Sequence, residues 1–148
     1  MFAATWNDGE GAFRYGGRWN SQGNRVLYVS SSLALATLEV LINLDDEEIL
    51  PAFLYASVAF AEELIVRVED VARLPPKWRG FPIPREVQKI GDDWIEGKRS
   101  AVLEVPTSVI PKGTNYVINL EHPDSKRVQY GKVENLIIDA KLISRGKK

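Results

Sequence analysis

GGRWNSQGNRVLYVSSSLALATLEVL (Gly16–Leu41) joins a glycine-rich loop to an apolar strand and then to a helix. RVLYVS (25–30) reads as a short strand, buried on both faces or nearly so, because its β-branched and aromatic residues hardly alternate with polar ones. Ser30, Ser31 or Ser32 then caps a helix that runs to Asn43 or Leu44. Wound at about 100° per residue, Leu35, Leu38, Leu41 and Ile42 cover one face and Leu33, Val40 and Leu44 much of the opposite one. A helix apolar nearly all round is expected to pack on more than one side. Only a narrow stripe is polar. It holds Ser32, Glu39 and Asn43, with the small Ala36 between them, and Glu39 is its single charge.

A carboxylate on such a helix is largely desolvated, which costs several kcal/mol unless a cationic or hydrogen-bonding partner reaches it. Two readings follow. One is a buried Glu–Arg pair that only fixes the fold. The other is a functional carboxylate beside a space that Ala36 leaves open. Two neighbours bear on the choice. Arg18 follows Gly16 and Gly17, which let the backbone turn tightly and approach another group. Its planar guanidinium suits a phosphate or a carboxylate. Tyr28, on the strand, offers a ring face and a hydroxyl, with core packing as the alternative. The strand–helix hairpin is expected to bring Tyr28 and Glu39 to one cleft.

The rest of the chain reads as one α+β domain. Residues 1–25 are rich in glycine and read as irregular loop, and DDEE (45–48) as a solvated turn. PAFLYASVAF (51–60) and LIVRVED (64–70) read as two strands joined through Glu62 and Glu63. RLPPKWRGFPIP (73–84) is a proline-rich loop whose Trp78 and Phe81 are expected to fold back onto the domain. A polar, amphipathic helix follows from Arg85 to Glu96, with Val87, Ile90 and Trp94 near one face. SAVLEVP (100–106) and NYVIN (115–119) are further strands, and RVQYG and NLIID (127–139) are expected to finish the sheet. Lys141, Arg145, Lys147 and Lys148 read as a solvated tail.

Composition narrows the function. The chain has 148 residues and a net charge of −1, with no stretch that combines basic residues with a recognition helix, so direct nucleic-acid binding is not expected. There is no apolar run of membrane-spanning length, and no signal-peptide pattern, so the expected compartment is the cytoplasm. There is no cysteine, which removes disulfides and thiolate chemistry, and one histidine, so no His-rich metal centre is expected. His122, in NLEHPD, reads as a loop cap.

GEGAFRYGGRWNSQGNRVLYVSSSLALATLEVL resembles the signature of the RES domain family, toxins of bacterial toxin–antitoxin pairs. The family's arginine in GGRWN falls on Arg18, its strand tyrosine on Tyr28 and its A-x-x-E glutamate on Glu39. A second block, VPTSVIPKGTNYVINLEHPD (105–124), resembles the family's VPS-x-x-x-P … N-Y-x-x-N-x-x-HP pattern. Thr107 stands where the family has serine, with Ser108 next to it, so either hydroxyl is the candidate. The chain begins near the region matching Phe2–Thr5, so it reads as a single RES domain over 1–148 without the family's first N-terminal strand.

The resemblance implies an ADP-ribosyltransferase-like fold, with a split, mixed β core and flanking helices. It implies an enzyme of a type II toxin–antitoxin system, with NAD as substrate rather than cofactor, cleaved between nicotinamide and ribose. Glu39 then stabilises the ribose cation, Tyr28 stacks on nicotinamide or holds the ribose, and Arg18 contacts the pyrophosphate or ribose. Thr107, with Ser30, supplies a hydrogen bond. No metal is required. Water as acceptor gives an NAD glycohydrolase, phosphate a phosphorylase, and a protein side chain an ADP-ribosyltransferase. The implied partner is an Xre-like antitoxin with a helix-turn-helix part and a C-terminal segment that blocks the pocket. Oligomerisation is open. A different class, a non-catalytic binding domain, is the alternative if the short N-terminus inactivates the protein.

Overall fold

The computed structural model describes residues 7–43 and 52–144. The expected DDEE turn, the first six residues and the end of the basic tail lie outside them. The α-helices are α1 (Glu10–Tyr15), α2 (Leu33–Leu41), α3 (Arg85–Gly97) and α4 (Ala140–Ser144). The strands are β1 (Val26–Ser30), β2 (Leu54–Tyr55), β3 (Val58–Ala59), β4 (Ile65–Arg67), β5 (Val102–Pro106), β6 (Thr114–Asn119), β7 (Gln129–Tyr130) and β8 (Glu134–Asn135).

The main sheet has the order β1-β6-β5-β4. Both pairings of β6 are antiparallel, whereas β4 and β5 run parallel. This is the expected α+β class with a mixed sheet. Val102 and Ile118 face one side of the sheet, with Leu64 and Val128. Leu103, Val105 and Val117 face the other, with Val87 and Trp94 of α3. Covering both faces explains why successive residues, Val102 and Leu103 of β5 and Val117 and Ile118 of β6, are apolar and buried.

β1 differs from its expected double-sided burial. Val26 is buried, but Tyr28 is 37% exposed. The C-terminal half of the strand borders a cavity, although Val29 also packs against the core. α2 begins at Ser32, whose side chain accepts the Leu35 N–H at 3.1 Å. Of the three candidate serines, Ser32 is therefore the cap. The helix ends at Leu41, where the Asn43 side chain donates to the Glu39 carbonyl at 2.9 Å. Packing on several sides is not observed among the described residues: Leu35 alone is buried in α2, and Leu33 is 44% exposed. Ala36 and Val40 form cavity wall.

Three further expectations are corrected. A short helix, α1, stands inside the stretch read as loop. The strands expected to finish the sheet pair elsewhere, β2 with β8 and β3 with β7, as separate ladders. The break between them lies at Ser57, whose carbonyl accepts the Gly131 N–H at 2.7 Å. A Cβ on Gly131 would collide with the Ser57 Oγ, so the two segments touch where the ladder splits. Trp78 folds back against Trp19, with ring centroids 6.1 Å apart, but Phe81 is 90% exposed. His122 behaves as expected. Its Nδ1 accepts the Asp124 N–H, and the Nε2 proton goes to the Lys98 carbonyl, which can only accept.

Candidate active site

The loop GGRWN folds as a tight turn. Gly17 and Asn20 bond reciprocally, with the Gly17 N–H on the Asn20 carbonyl at 2.9 Å and the return bond at 3.4 Å. Gly16 has φ of +74°, which favours glycine. Gly17 meets the group it approaches: a Cβ there would lie 2.7 Å from the Tyr28 hydroxyl. That hydroxyl accepts the Trp19 N–H at 3.1 Å and donates to the Asn20 Oδ1 at 2.6 Å. Burial pushes the phenol well above its ordinary 10.0, although the Trp19 N–H opposes the change. The hydroxyl is thus a structural tie, and the ring is the part offered to the cleft.

α3 fastens the same loop from behind. The Gln88 Nε2 donates to the Gly17 carbonyl at 2.9 Å and the Asn20 carbonyl at 3.3 Å. Asp92 accepts the Ser21 N–H at 2.9 Å, the Ser21 hydroxyl at 2.6 Å and the Asn24 amide at 2.8 Å. Residues 88 and 92 lie one turn apart on one helix face. These anchors, with Asn20, carry no role in the reading from sequence. Their one signal is the helix-interior Gly91, of the kind that marks a close approach.

Arg18 projects from the turn. Its Nη1 donates to the carbonyls of Trp78 at 2.7 Å and Gly80 at 3.1 Å. It thereby pins the proline-rich loop, which brings Phe81 and Ile83 to the cleft. Guanidinium has five N–H donors, and both bonds use Nη1, so Nε and Nη2 bond no other described residue. Burial lowers the arginine pKa, with the Glu39 charge opposing it, and the group stays cationic.

Glu39 has no cationic partner among the described residues, so the fold-fixing Glu–Arg pair is not formed. Hydrogen bonds hold it instead. The Thr107 hydroxyl donates to Oε1 at 3.2 Å, and the Asn115 amide donates to Oε2 at 2.9 Å. Thr107 Oγ1 also accepts the Val109 N–H at 3.1 Å. Of the two candidate hydroxyls, Thr107 is the one bonded to Glu39, and Ser108 lines the cleft. Ser30 does not bond Glu39 directly; it donates to the Asn115 Oδ1 at 2.7 Å.

Arg18, Tyr28, Ser30, Glu39, Ser108 and Asn115 all border one cleft of about 780 Å³. That lies in the roughly 300–1,000 Å³ range of small-molecule sites. A second cavity, of about 540 Å³, opens off it across Tyr28, Val29, Ser30 and Ala36. Among the described residues no cluster of His, Cys, Asp and Glu could hold a metal ion, and no helix is long and apolar enough to cross a membrane.

The mixed sheet and its helices bring Arg18 of the glycine turn, Tyr28 of β1 and Glu39 of α2 to one cleft, and comparison with known proteins identifies the family. The sequence model of the RES domain matches residues 1–139. The chain belongs to the RES domain family. It is 35% identical over 120 residues to Toxin Res of Yersinia enterocolitica, covering 81% of this chain and 78% of that one. It is 34% identical over 140 residues to the Prs ADP-ribosylating toxin of a Sphingobium species, covering 93% and 86%. Toxin Res of Photorhabdus laumondii is 34% identical over 146 residues, covering 93% and 91%.

Proposed function

We propose that this protein is the toxin of a type II toxin–antitoxin pair and that it cleaves NAD at the bond between nicotinamide and ribose. One arrangement carries the reading: a carboxylate fixed on both oxygens, facing a cleft that also presents a cation and an aromatic ring. Breaking the C1′–N bond sends the bonding pair to nicotinamide, which leaves neutral. Positive charge develops on the ribose. Glu39, held by Thr107 and Asn115 and needing no reorganisation, stabilises that charge. The Tyr28 ring stacks on the nicotinamide side, while its hydroxyl stays on Trp19 and Asn20. Nε and Nη2 of Arg18 contact the pyrophosphate. No residue is needed as a covalent nucleophile, and no metal or further cofactor is called for.

Water adding to the ribose cation gives ADP-ribose and one proton. Phosphate gives ADP-ribose 1″-phosphate. The name of the Sphingobium relative favours a second acceptor, a protein side chain, which would make the protein an ADP-ribosyltransferase. The partner is an Xre-like antitoxin whose C-terminal segment fills the cleft and excludes NAD. The test is NAD consumption by the purified chain, with products separated chromatographically and Glu39→Gln run alongside. Release of nicotinamide by the parent and not by the folded variant supports the reading. Full activity in Glu39→Gln overturns it.

A further inference from the structure

Ser30 stands opposite Asn115 in the β1–β6 register, and Asn115 is 8% exposed. An asparagine side chain can point either end at a neighbour, and only one end donates. Facing Glu39 with its oxygen, Asn115 would repel the carboxylate. The carboxylate, which can only accept, selects the amide nitrogen, and the Ser30 hydroxyl holds the other end of the amide in place. The hydroxyl donates at 2.7 Å to Oδ1, and the amide nitrogen donates at 2.9 Å to Glu39 Oε2. Two sheet residues thus set the orientation of a carboxylate on a helix.

We infer that Ser30 and Asn115 form a positioning relay for Glu39, and that Ser30 acts through Asn115 rather than on the substrate. This rests on Glu39 being the carboxylate of the proposed reaction. The titratable groups bordering the cleft are Arg18, Tyr28 and Glu39. Arg18 is tied to the proline-rich loop and Tyr28 to the glycine turn. Neither bonds Oε2 in the structure.

The relay separates from direct substrate binding by which constant changes. Removing a hydrogen bond to a charged group is worth roughly ten- to hundredfold. Asn115→Ala is therefore expected to lower kcat by about that factor with little change in KM. Ser30→Ala is expected to do the same more weakly, by about five- to tenfold. A Ser30 that touched substrate would raise KM instead. Asn115→Asp keeps size but sets a second carboxyl group against Glu39. An acceptor then stands where the amide donated to Oε2, so kcat is expected to fall at least as far as in Asn115→Ala.

NMR of the Asn115 side-chain amide gives a readout that needs no turnover. Its carboxylate-bonded proton is expected downfield in the parent, and upfield in both Glu39→Gln and Ser30→Ala. If the parent fails to cleave NAD but these amide shifts occur, the relay stands and the reaction assignment falls. An Asn115 amide unmoved by Ser30→Ala overturns the relay. So does a Ser30→Ala variant that alters KM alone.

Discussion

Gly91 of α3 lies directly against the backbone of Trp19: a Cβ at Gly91 would fall 1.6 Å from the Trp19 carbonyl oxygen. Trp19 follows Arg18 in the turn, and backbone cannot step aside as a flexible side chain can. Gly91→Ala is therefore expected to push the helix and the GGRWN turn apart. Overpacking of this kind costs about 1–3 kcal/mol, and more where backbone must move. Denaturant unfolding should show that loss. NAD cleavage should fall further than stability explains, because Arg18 moves with the turn. Unchanged stability in Gly91→Ala would show that the contact relaxes freely.

Thr107 separates the hydroxyl from the methyl. Its Oγ1 serves Glu39 and the Val109 N–H, while its methyl packs so close to Gly113 that a Cβ there would meet it at 2.4 Å. Thr107→Val keeps the shape and removes the bonds. Losing a bond to the carboxylate should lower kcat by about tenfold or more. Thr107→Ser keeps the bonds and opens a methyl-sized space, so activity should persist with a stability loss of about 1 kcal/mol. Steady-state kinetics and urea unfolding on the two variants check both halves.

Tyr28 should make stability sensitive to alkali. Its phenol, raised by burial, stays protonated in the fold when the unfolded chain's tyrosine ionises near 10.0. The stabilisation is complete below that value and is lost as pH rises through it toward the folded pKa. Tyr28→Phe removes this dependence, so the difference in stability between parent and variant should shrink between pH 9.5 and 11, by up to about 1.4 kcal/mol per pH unit. Tyr116 and Tyr130, also raised by burial, remain in both proteins and cancel. Near pH 8 the variant should be less stable, by about 1–3 kcal/mol for each buried partner left unsatisfied on Trp19 and Asn20. Urea unfolding across this pH range measures both effects.

The features legible in the sequence were those set by neighbours along the chain. Helix period put Glu39 on a polar stripe beside Ala36, and local capping chemistry confined the start of α2 to three serines. The identity of the carboxylate's partners was not local. Thr107 and Asn115 lie 68 and 76 residues away, and nothing in their own windows distinguishes a bond to Glu39 from a bond to water. Gln88 and Asp92 were hidden for the same reason, reading as polar residues of an amphipathic helix. The apolar surface of α2 misled because a cavity wall is as apolar as a core: Ala36, Val40 and Ile42 face open space. β2 and β3 misled because an unbroken apolar run does not record which strand pairs with it.

Arg18 and Phe81 should divide substrate binding between a charge and a ring. Arg18→Lys keeps the charge but presents three donors from one nitrogen. It cannot hold the Trp78 and Gly80 carbonyls and still offer a planar pair to a phosphate. Both KM for NAD and the order of the proline-rich loop should suffer, the latter visible as faster backbone hydrogen exchange there. Phe81 sits on that loop, 90% exposed at the cleft wall. Truncating so exposed a ring should leave stability within about 0.5 kcal/mol. Loss of a stacking face should nevertheless raise KM by roughly five- to 150-fold, since base–aromatic stacking is worth about 1–3 kcal/mol. An unchanged KM in Phe81→Ala would remove the loop from the substrate site and leave Arg18's bonds to it a matter of fold alone.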